Sequence, residues 1–393
     1  MKVIDGVIVY GEPVDEGALR QINTCKKEAR RCALMGDHHL GYAMPIGGVC
    51  AYAGKISPSG VGFDIACGNK AVRLDIPKQE IVKNISFIMD DIFRNISFGV
   101  GRKNEEAPDH ELFDDPAWEI PAIKKLYDLA RSQLGTVGSG NHYVDVFLDE
   151  RDRVWIGVHF GSRGLGHRIA THYIQAGGGK DGMFVEPVLL GANTSLGSEY
   201  LAGMNLAGRY AYAGRDWVCE KVAGLLGAKV LEEVHNHHNF AWRERHFGED
   251  YWVVRKGATP AFPGQPGFVG GSMGDNSVIL KGVESKESRN TMYSTVHGAG
   301  RVMSRTQAAG RRKWRKGRST TESRGEISRK MMLDWVKDKG VELRGAGTDE
   351  SPHCYKRLEE VLKWHENTVE IVHVLRPVGV AMAGENEYDP YKD

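Results

Sequence analysis

Apolar positions recur at helical spacing over 14 to 34, where Leu19, Ile22, Cys25 or Ala29, and Ala33 share a face between charged residues, so the pattern predicts a helix there. Ile81, Val82, Ile85, Ile88, Met89 and Ile92 predict a second helix over 80 to 95. Between them, 35 to 75 is glycine-rich with short β-prone runs. Residues 103 to 118 are charged and contain proline, which predicts a loop, and 119 to 134 predict another helix. Runs of β-branched and aromatic residues predict strands at 143 to 148 and 153 to 160. A long helical region is predicted from 198 to 246, then a β-prone, loop-rich stretch from 250 to 300. The C-terminal part predicts a helix near 326 to 339 and another at 352 to 366, opened by Pro352 and capped by Ser351 or Asp349. A last strand is predicted from 369 to 380, followed by a polar, frayed tail from 385.

The chain has 393 residues, enough for a large core, and its 41% hydrophobic and 26% charged residues exclude a disordered chain, a disulfide miniprotein and a collagen-like repeat. No window offers the roughly 18 consecutive apolar residues of a membrane span, and Asp5 interrupts the short apolar N-terminal stretch, so no signal peptide is expected. The six cysteines are scattered without a CxxC pair, which predicts reduced thiols and a cytoplasmic protein. Net charge is +1, but residues 301 to 330 hold eleven Lys or Arg against Glu322 and Glu326, an excess that suits a polyanion and also a solvated basic face. No fixed-period repeat and no linker tract divides the chain. Candidate metal ligands are spread from 64 to 238, and a site assembled over that span requires one cooperative fold. The expectation is therefore a single α+β domain over 1 to 393.

Five glycine-framed segments carry side chains able to bind metal or phosphate: GVGFDIACG (60 to 68), GTVGSGNH (135 to 142), GVHFGSRGLGH (157 to 167), HNHHN (235 to 239) and VHGAGRVMSR (296 to 305). Asp64 and Cys67, three apart, can meet one ion in a turn or short helix. Alone this pair is more often a loop aspartate beside a buried structural cysteine, and His142 or His159 alone is more often a structural histidine. His235, His237 and His238 fall in the predicted helix, with room for only one or two to face a common point. The combination of carboxylate, thiolate and imidazoles in tightly turning backbone shifts the balance toward a borderline divalent ion, with Zn²⁺, Mn²⁺, Fe²⁺ and Co²⁺ all chemically suited. Local ligand pairs typical of structural zinc are missing, which favours a catalytic site. Gly161-Ser162-Arg163-Gly164 and Gly298-Ala299-Gly300-Arg301 offer backbone N–H groups and guanidinium groups to phosphate, Arg255 and Lys256 add cations, and no Walker A string is present. His297, beside that phosphate-suited backbone, suits a nucleophile, an acid/base or a ligand.

With these segments in view, the chain resembles the RtcB family of RNA-splicing and RNA-repair ligases from about residue 35 to 380. The motifs DHHLGYAMPIGG, GVGFDIACG, LGTVGSGNH, GSRGLGH, HHN, RKGATPAFPGQPG, GGSMG, HGAGRVMSR and DESPHCYK appear in the family order. The resemblance implies an α+β fold with a β-rich core, flanking helices and a metal-lined cleft. It implies a Mn²⁺- and GTP-dependent ligase joining RNA 3′-phosphate or 2′,3′-cyclic phosphate ends to 5′-hydroxyl ends. Asp64, Cys67, His142, His159 and His238 would hold two Mn²⁺ ions bridged by Cys67. His297 would become guanylylated, with Asp37 in support and Arg163 and Arg301 on phosphates. Asn141, Asp145, Asn239, Ser272, Met273, Gly274, Gly298, Ala299, Gly300 and Tyr355 would line the GMP site. Partners would be broken-ended RNA, such as tRNA halves, and an archease-like activating protein, with no membrane and no DNA-specific binding.

The chain departs from the family pattern in three places. Met35-Gly36-Asp37 stands where Met-Pro-Asp is usual, Asp145 replaces a usual Glu, and Met382 replaces a usual Lys near the guanine. The last two fall on base recognition. Two other readings use the same residues: a metal-dependent 3′-end phosphatase or cyclic phosphodiesterase on the same scaffold, and a nucleic-acid-binding protein with a structural metal.

Overall fold

The computed structural model describes residues 1 to 315 and 318 to 385; the predicted tail beyond 385 and Lys316 of the basic run lie outside them. Two large sheets form a mixed α+β fold. The first sheet has six strands in the order Lys2–Ile4, Val7–Val9, Arg31–His39, Ile46–Tyr52, Glu249–Lys256 and Asn239–His246. The second runs Val230–His237, Gly68–Leu74, Val154–Phe160, Tyr143–Leu148, Val369–Gly384, Ser277–Gly282 and Pro266–Val269, and Glu342–Ala346 lies parallel to Val369–Gly384. This second sheet is nearly closed, because its two edges are stitched together. Phe268 N–H donates to Asn236 Oδ1 at 2.9 Å, and Asn69 Nδ2 donates to the Phe268 carbonyl at 2.9 Å. These bonds satisfy edge groups that would otherwise be open to another strand.

The helix predicted from 80 to 95 is present as Lys78–Asn95, burying Ile81, Met89 and Ile92 against the second sheet. Gly379 makes room for it, since a Cβ there would sit 2.4 Å from Met89 Sδ. The strands predicted at 143 to 148 and 153 to 160 are Tyr143–Leu148 and Val154–Phe160, every residue buried. The last strand runs on to Gly384.

Four expectations fail. The helix predicted over 14 to 34 is only Glu16–Lys26; Ala33 instead pairs with Val49 in the first sheet, so strand pairing overrides the helical spacing. The helix over 119 to 134 is broken into Pro121–Lys124 and Tyr127–Gln133, and the predicted loop before it holds two short 3-10 turns. The region from 198 to 246 is helical only as Ser195–Leu225, after which Gly227, at φ 62°, turns the chain into Val230–His237 and Asn239–His246. The three histidines are therefore not helical: His235 and His237 lie on a strand, and His238 at its end. Finally, 352 to 366 is a short turn, Pro352–Cys354, plus the helix Leu358–Lys363. Ser351 takes the N-cap position of that turn, without a side-chain bond, and Pro352 opens it, but the helix itself starts after Arg357; Asp349 pairs with Arg305 at 3.1 Å.

Among the described residues all six cysteines are free and buried, as expected of reduced thiols. No helix among them is long and apolar enough to cross a membrane.

Candidate active site

His238 marks the point where the chain leaves the second sheet, at His237, and enters the first, at Asn239. The Asp64–Cys67 turn likewise precedes Gly68–Leu74 in the second sheet. Backbone bonds clamp the two crossings together. His238 N–H donates to the Cys67 carbonyl at 2.8 Å and Ala66 N–H to the Asn239 carbonyl at 2.7 Å. Gly68 allows this approach, because a Cβ there would lie 2.2 Å from the Asn236 carbonyl oxygen. His159, cross-strand partner of both Asn69 and Tyr143, brings a third element to the same place.

The five expected metal ligands converge. Cys67 Sγ lies 3.2 Å from His159 Nε2 and 3.6 Å from His142 Nε2, and His142 Nε2 lies 3.1 Å from Asp64 Oδ2. The His238 ring stands 5.2 Å from His159 and 4.9 Å from His297, centre to centre. The far nitrogens are anchored: His142 Nδ1 on the Val137 carbonyl and His159 Nδ1 on the Asn141 carbonyl, both at 3.0 Å. Each anchor fixes the tautomer that leaves Nε2 with its lone pair facing the cluster. His238 Nδ1 is buried without a partner.

Burial, then the neighbouring imidazoles, keeps His159 and His238 neutral. Burial opposes ionisation of Asp64, but the adjacent His142 outweighs it and holds the carboxyl at about 2. Burial and then the Asp64 charge push the Cys67 thiol up. Neutral imidazoles, an ionised carboxylate, an orphaned nitrogen and a thiol that only a cation would hold as thiolate fit a divalent metal. The ligand atoms of Cys67, His142 and His159 all lie within 4.8 Å of one another.

His297 follows the strand Ser294–Val296 and is oriented by Asp37. Asp37 Oδ2 accepts from the His297 backbone N–H at 3.0 Å and the Gly298 N–H at 3.2 Å, and lies 2.7 Å from His297 Nδ1. Although burial opposes it, the His297 contact lowers the Asp37 carboxyl below the usual range. Gly300, at φ 77°, packs against the Asp37 main chain; a Cβ would fall 2.3 Å from the Asp37 carbonyl oxygen.

His297 and the metal cluster open onto one cleft of about 1370 Å³. Its lining includes Gly298, Ala299, Gly300, Arg301 and Tyr355 on one wall, and Asn141, Asp145, Asn239, Ser272 and Met273 elsewhere. Gly274 is the expected residue that falls away from the lining; it packs at φ 87° against Trp335. Arg163 also lines the cleft and opens the helix Arg163–Ala176, donating to Thr136 Oγ1 at 3.3 Å. Arg301 is caged: it donates to Tyr355 Oη and the Asp349 carbonyl, both at 2.8 Å, and to the Met303 carbonyl at 3.1 Å.

Several cleft residues were not foreseen as site residues. Glu350 accepts from Arg305 and Tyr355, and so braces the wall around Arg301. Lys256, noted only as a cation, is lowered to about 8 by burial and donates to the Tyr42 carbonyl at 2.5 Å. Lys356 lines the same cleft. Asp349 reads as a helix cap in the sequence, which hid its pairing with Arg305. At the far end, Met382 is buried among Tyr143, Met273 and Val380, and the Asp145 Oδ1 and Tyr143 Oη atoms are buried without partners. Burial pushes the Asp145 carboxyl up.

Fold and site together define a mixed α+β protein with a candidate thiolate–imidazole metal centre beside a carboxylate-oriented histidine. The family model for tRNA-splicing ligase RtcB matches residues 18 to 383, and the chain belongs to that family. It is 32% identical to the RNA-splicing ligase RtcB of Escherichia coli K12, over 94% of each chain. It is 31% identical to the tRNA-splicing ligase RtcB of Thermococcus kodakarensis, over 88% of this chain and 86% of the relative. An RNA-splicing ligase RtcB homolog of Entamoeba dispar is 30% identical over 84% of this chain and 74% of its own.

Proposed function

We propose that this protein is an RNA ligase that joins 3′-phosphate or 2′,3′-cyclic phosphate ends to 5′-hydroxyl ends, using GTP and forming a histidyl-GMP intermediate on His297. Membership in the tRNA-splicing ligase RtcB family supports the RNA ligase activity. The observation that carries the finer reading is the placement of His297: held by Asp37 on one nitrogen, 4.9 Å from the candidate ligand His238, and facing the cleft.

Asp64, Cys67, His142, His159 and His238 would hold the metal, read as two Mn²⁺ ions. When bound, these ions supply Lewis-acid neutralisation of charge developing on the phosphates. The chain's own residues do the rest. With Nδ1–H donated to Asp37, His297 keeps the lone pair on Nε2 for attack on the α-phosphorus of GTP. An N–P bond forms and the bond to pyrophosphate breaks. An oxygen of the RNA 3′-phosphate then attacks the same phosphorus, the N–P bond breaks, and its electron pair returns to Nε2. The 5′-hydroxyl oxygen attacks the activated 3′-phosphorus, GMP leaves, and the hydroxyl proton passes to solvent. Arg163 and Arg301, beside the glycine-framed backbone, would orient phosphate oxygens. The basic residues from 301 onward suit the RNA backbone, and an archease-like protein would assist turnover.

The test is ligation of two short RNAs in GTP and Mn²⁺. Joining of 3′-phosphate to 5′-hydroxyl ends, with no joining of 3′-hydroxyl to 5′-phosphate ends, is expected. Removal of the phosphate without joining would favour the phosphatase reading.

A further inference from the structure

Arg215 lies outside the cleft, on the long helix Ser195–Leu225, and is completely buried. Its Nε donates to His235 Nε2 at 2.8 Å, and Nη2 lies 2.9 Å from His237 Nδ1. Its Nη1 donates to two main-chain carbonyls, those of Ala66, at 3.1 Å, and of Phe160. These carbonyls belong to the residues next to Cys67 and His159. Among the described residues, no carboxylate forms an ion pair with this guanidinium. A buried charge without such a partner is costly, so its contacts must be well made.

Ala66 gives the arrangement its purpose. It is held at φ 60°, in the left-handed region that residues with a Cβ avoid. The next residue, Cys67, has its Sγ 3.2 Å from His159 Nε2. One nitrogen of Arg215 binds the carbonyl of this strained residue and the carbonyl after His159, spanning the two ligand-bearing segments. A planar guanidinium fixes such a bridge while its other nitrogens rest on two imidazoles; a lysine ammonium has no rigid fork with which to do so. His235 and His237, kept neutral by burial and then by Arg215, serve as acceptors behind the site rather than as ligands within it.

We infer that Arg215 is the positioning residue of the metal centre: it fixes the spacing of Cys67 and His159 from behind by tying Ala66 to Phe160. The inference rests on the reading of Cys67 and His159 as ligands.

The experiment is titration of the purified full chain with Co²⁺, whose bond to thiolate gives a charge-transfer absorption in the near ultraviolet. Wild type is expected to show the band. Arg215→Lys and Arg215→Met are expected to bind Co²⁺ at least tenfold more weakly and to shift or lose the band, while far-ultraviolet circular dichroism stays native. Arg215→Lys should recover less than the wild-type band, since it keeps the charge but not the fork. If a variant cannot be isolated folded, His237→Ala, which frees one guanidinium nitrogen, is measured in its place, with a weakened or shifted band expected. An unchanged band and unchanged Co²⁺ affinity in the folded variants would overturn the inference, even if their thermal stability fell. Absence of the band in wild type would instead overturn the ligand reading of Cys67.

Discussion

Asp37 and His297 are 260 positions apart in the chain and 2.7 Å apart in space, carboxylate oxygen to imidazole Nδ1. The same oxygen takes the His297 and Gly298 backbone N–H groups, so one carboxylate sets both the ring and the glycine loop that follows. Asp37→Asn keeps the volume but favours the wrong tautomer. The rate of adduct formation with GTP should fall about 10²- to 10⁴-fold, with GTP binding retained. Single-turnover labelling compared with nucleotide binding checks this; an unchanged rate would remove Asp37 from the mechanism.

Cys67→Ala and His238→Ala should each lose metal and abolish guanylylation, because each takes a donor from the convergent cluster. Metal content of the purified variants, measured beside adduct formation, decides it. A folded variant with wild-type rates in Mn²⁺ would show that the ligands are assigned wrongly.

Nucleotide choice should be looser than in relatives with the usual Lys and Glu. Met382 offers no charge and packs among Tyr143, Met273 and Val380, and Asp145 keeps an unpartnered oxygen. A missing charge-assisted hydrogen bond to the base is worth about 1.5–3 kcal/mol, or roughly ten- to a hundredfold in relative affinity. Adduct formation with ATP within about a hundredfold of GTP is expected, and Met382→Lys should widen the gap. Complete rejection of ATP by both proteins would place base recognition elsewhere.

Acid stability should depend on Glu244. Burial opposes its ionisation, but Arg255, bound at 2.7 and 3.0 Å, and His246 outweigh this and lower its carboxyl below the usual range. A folded-state value below the unfolded one contributes stability above the unfolded value, about 4.3, and loses it as pH falls through the folded value. Melting temperature followed from pH 7 to 3 should therefore drop steeply for wild type. For Glu244→Gln it should start lower and fall less. Parallel curves would show that the pair does not govern the acid limb.

The candidate site was more legible in the sequence than the fold around it. Glycines beside Asp64, Cys67 and His142 flagged backbone forced into close approach, and the structure uses Gly68 in that way. Helical spacing misled where a strand was paired on tertiary grounds, as at Ala33, and where His235 and His237 share one face of a strand. The partners of Asp349 and Glu350 were hidden because ion pairing over more than forty residues leaves no local pattern. Arg215 was hidden for a related reason: its partners are mostly main-chain carbonyls and imidazoles from three other segments.

The central claim, that His297 carries the nucleotide covalently, is tested most directly by incubating wild type and His297→Ala with Mn²⁺ and GTP radiolabelled at the α-phosphate. Wild type should retain an acid-labile, base-stable label after denaturation, and His297→Ala should bind GTP yet retain none. Label on folded His297→Ala, or none on metal-loaded wild type, would contradict the account.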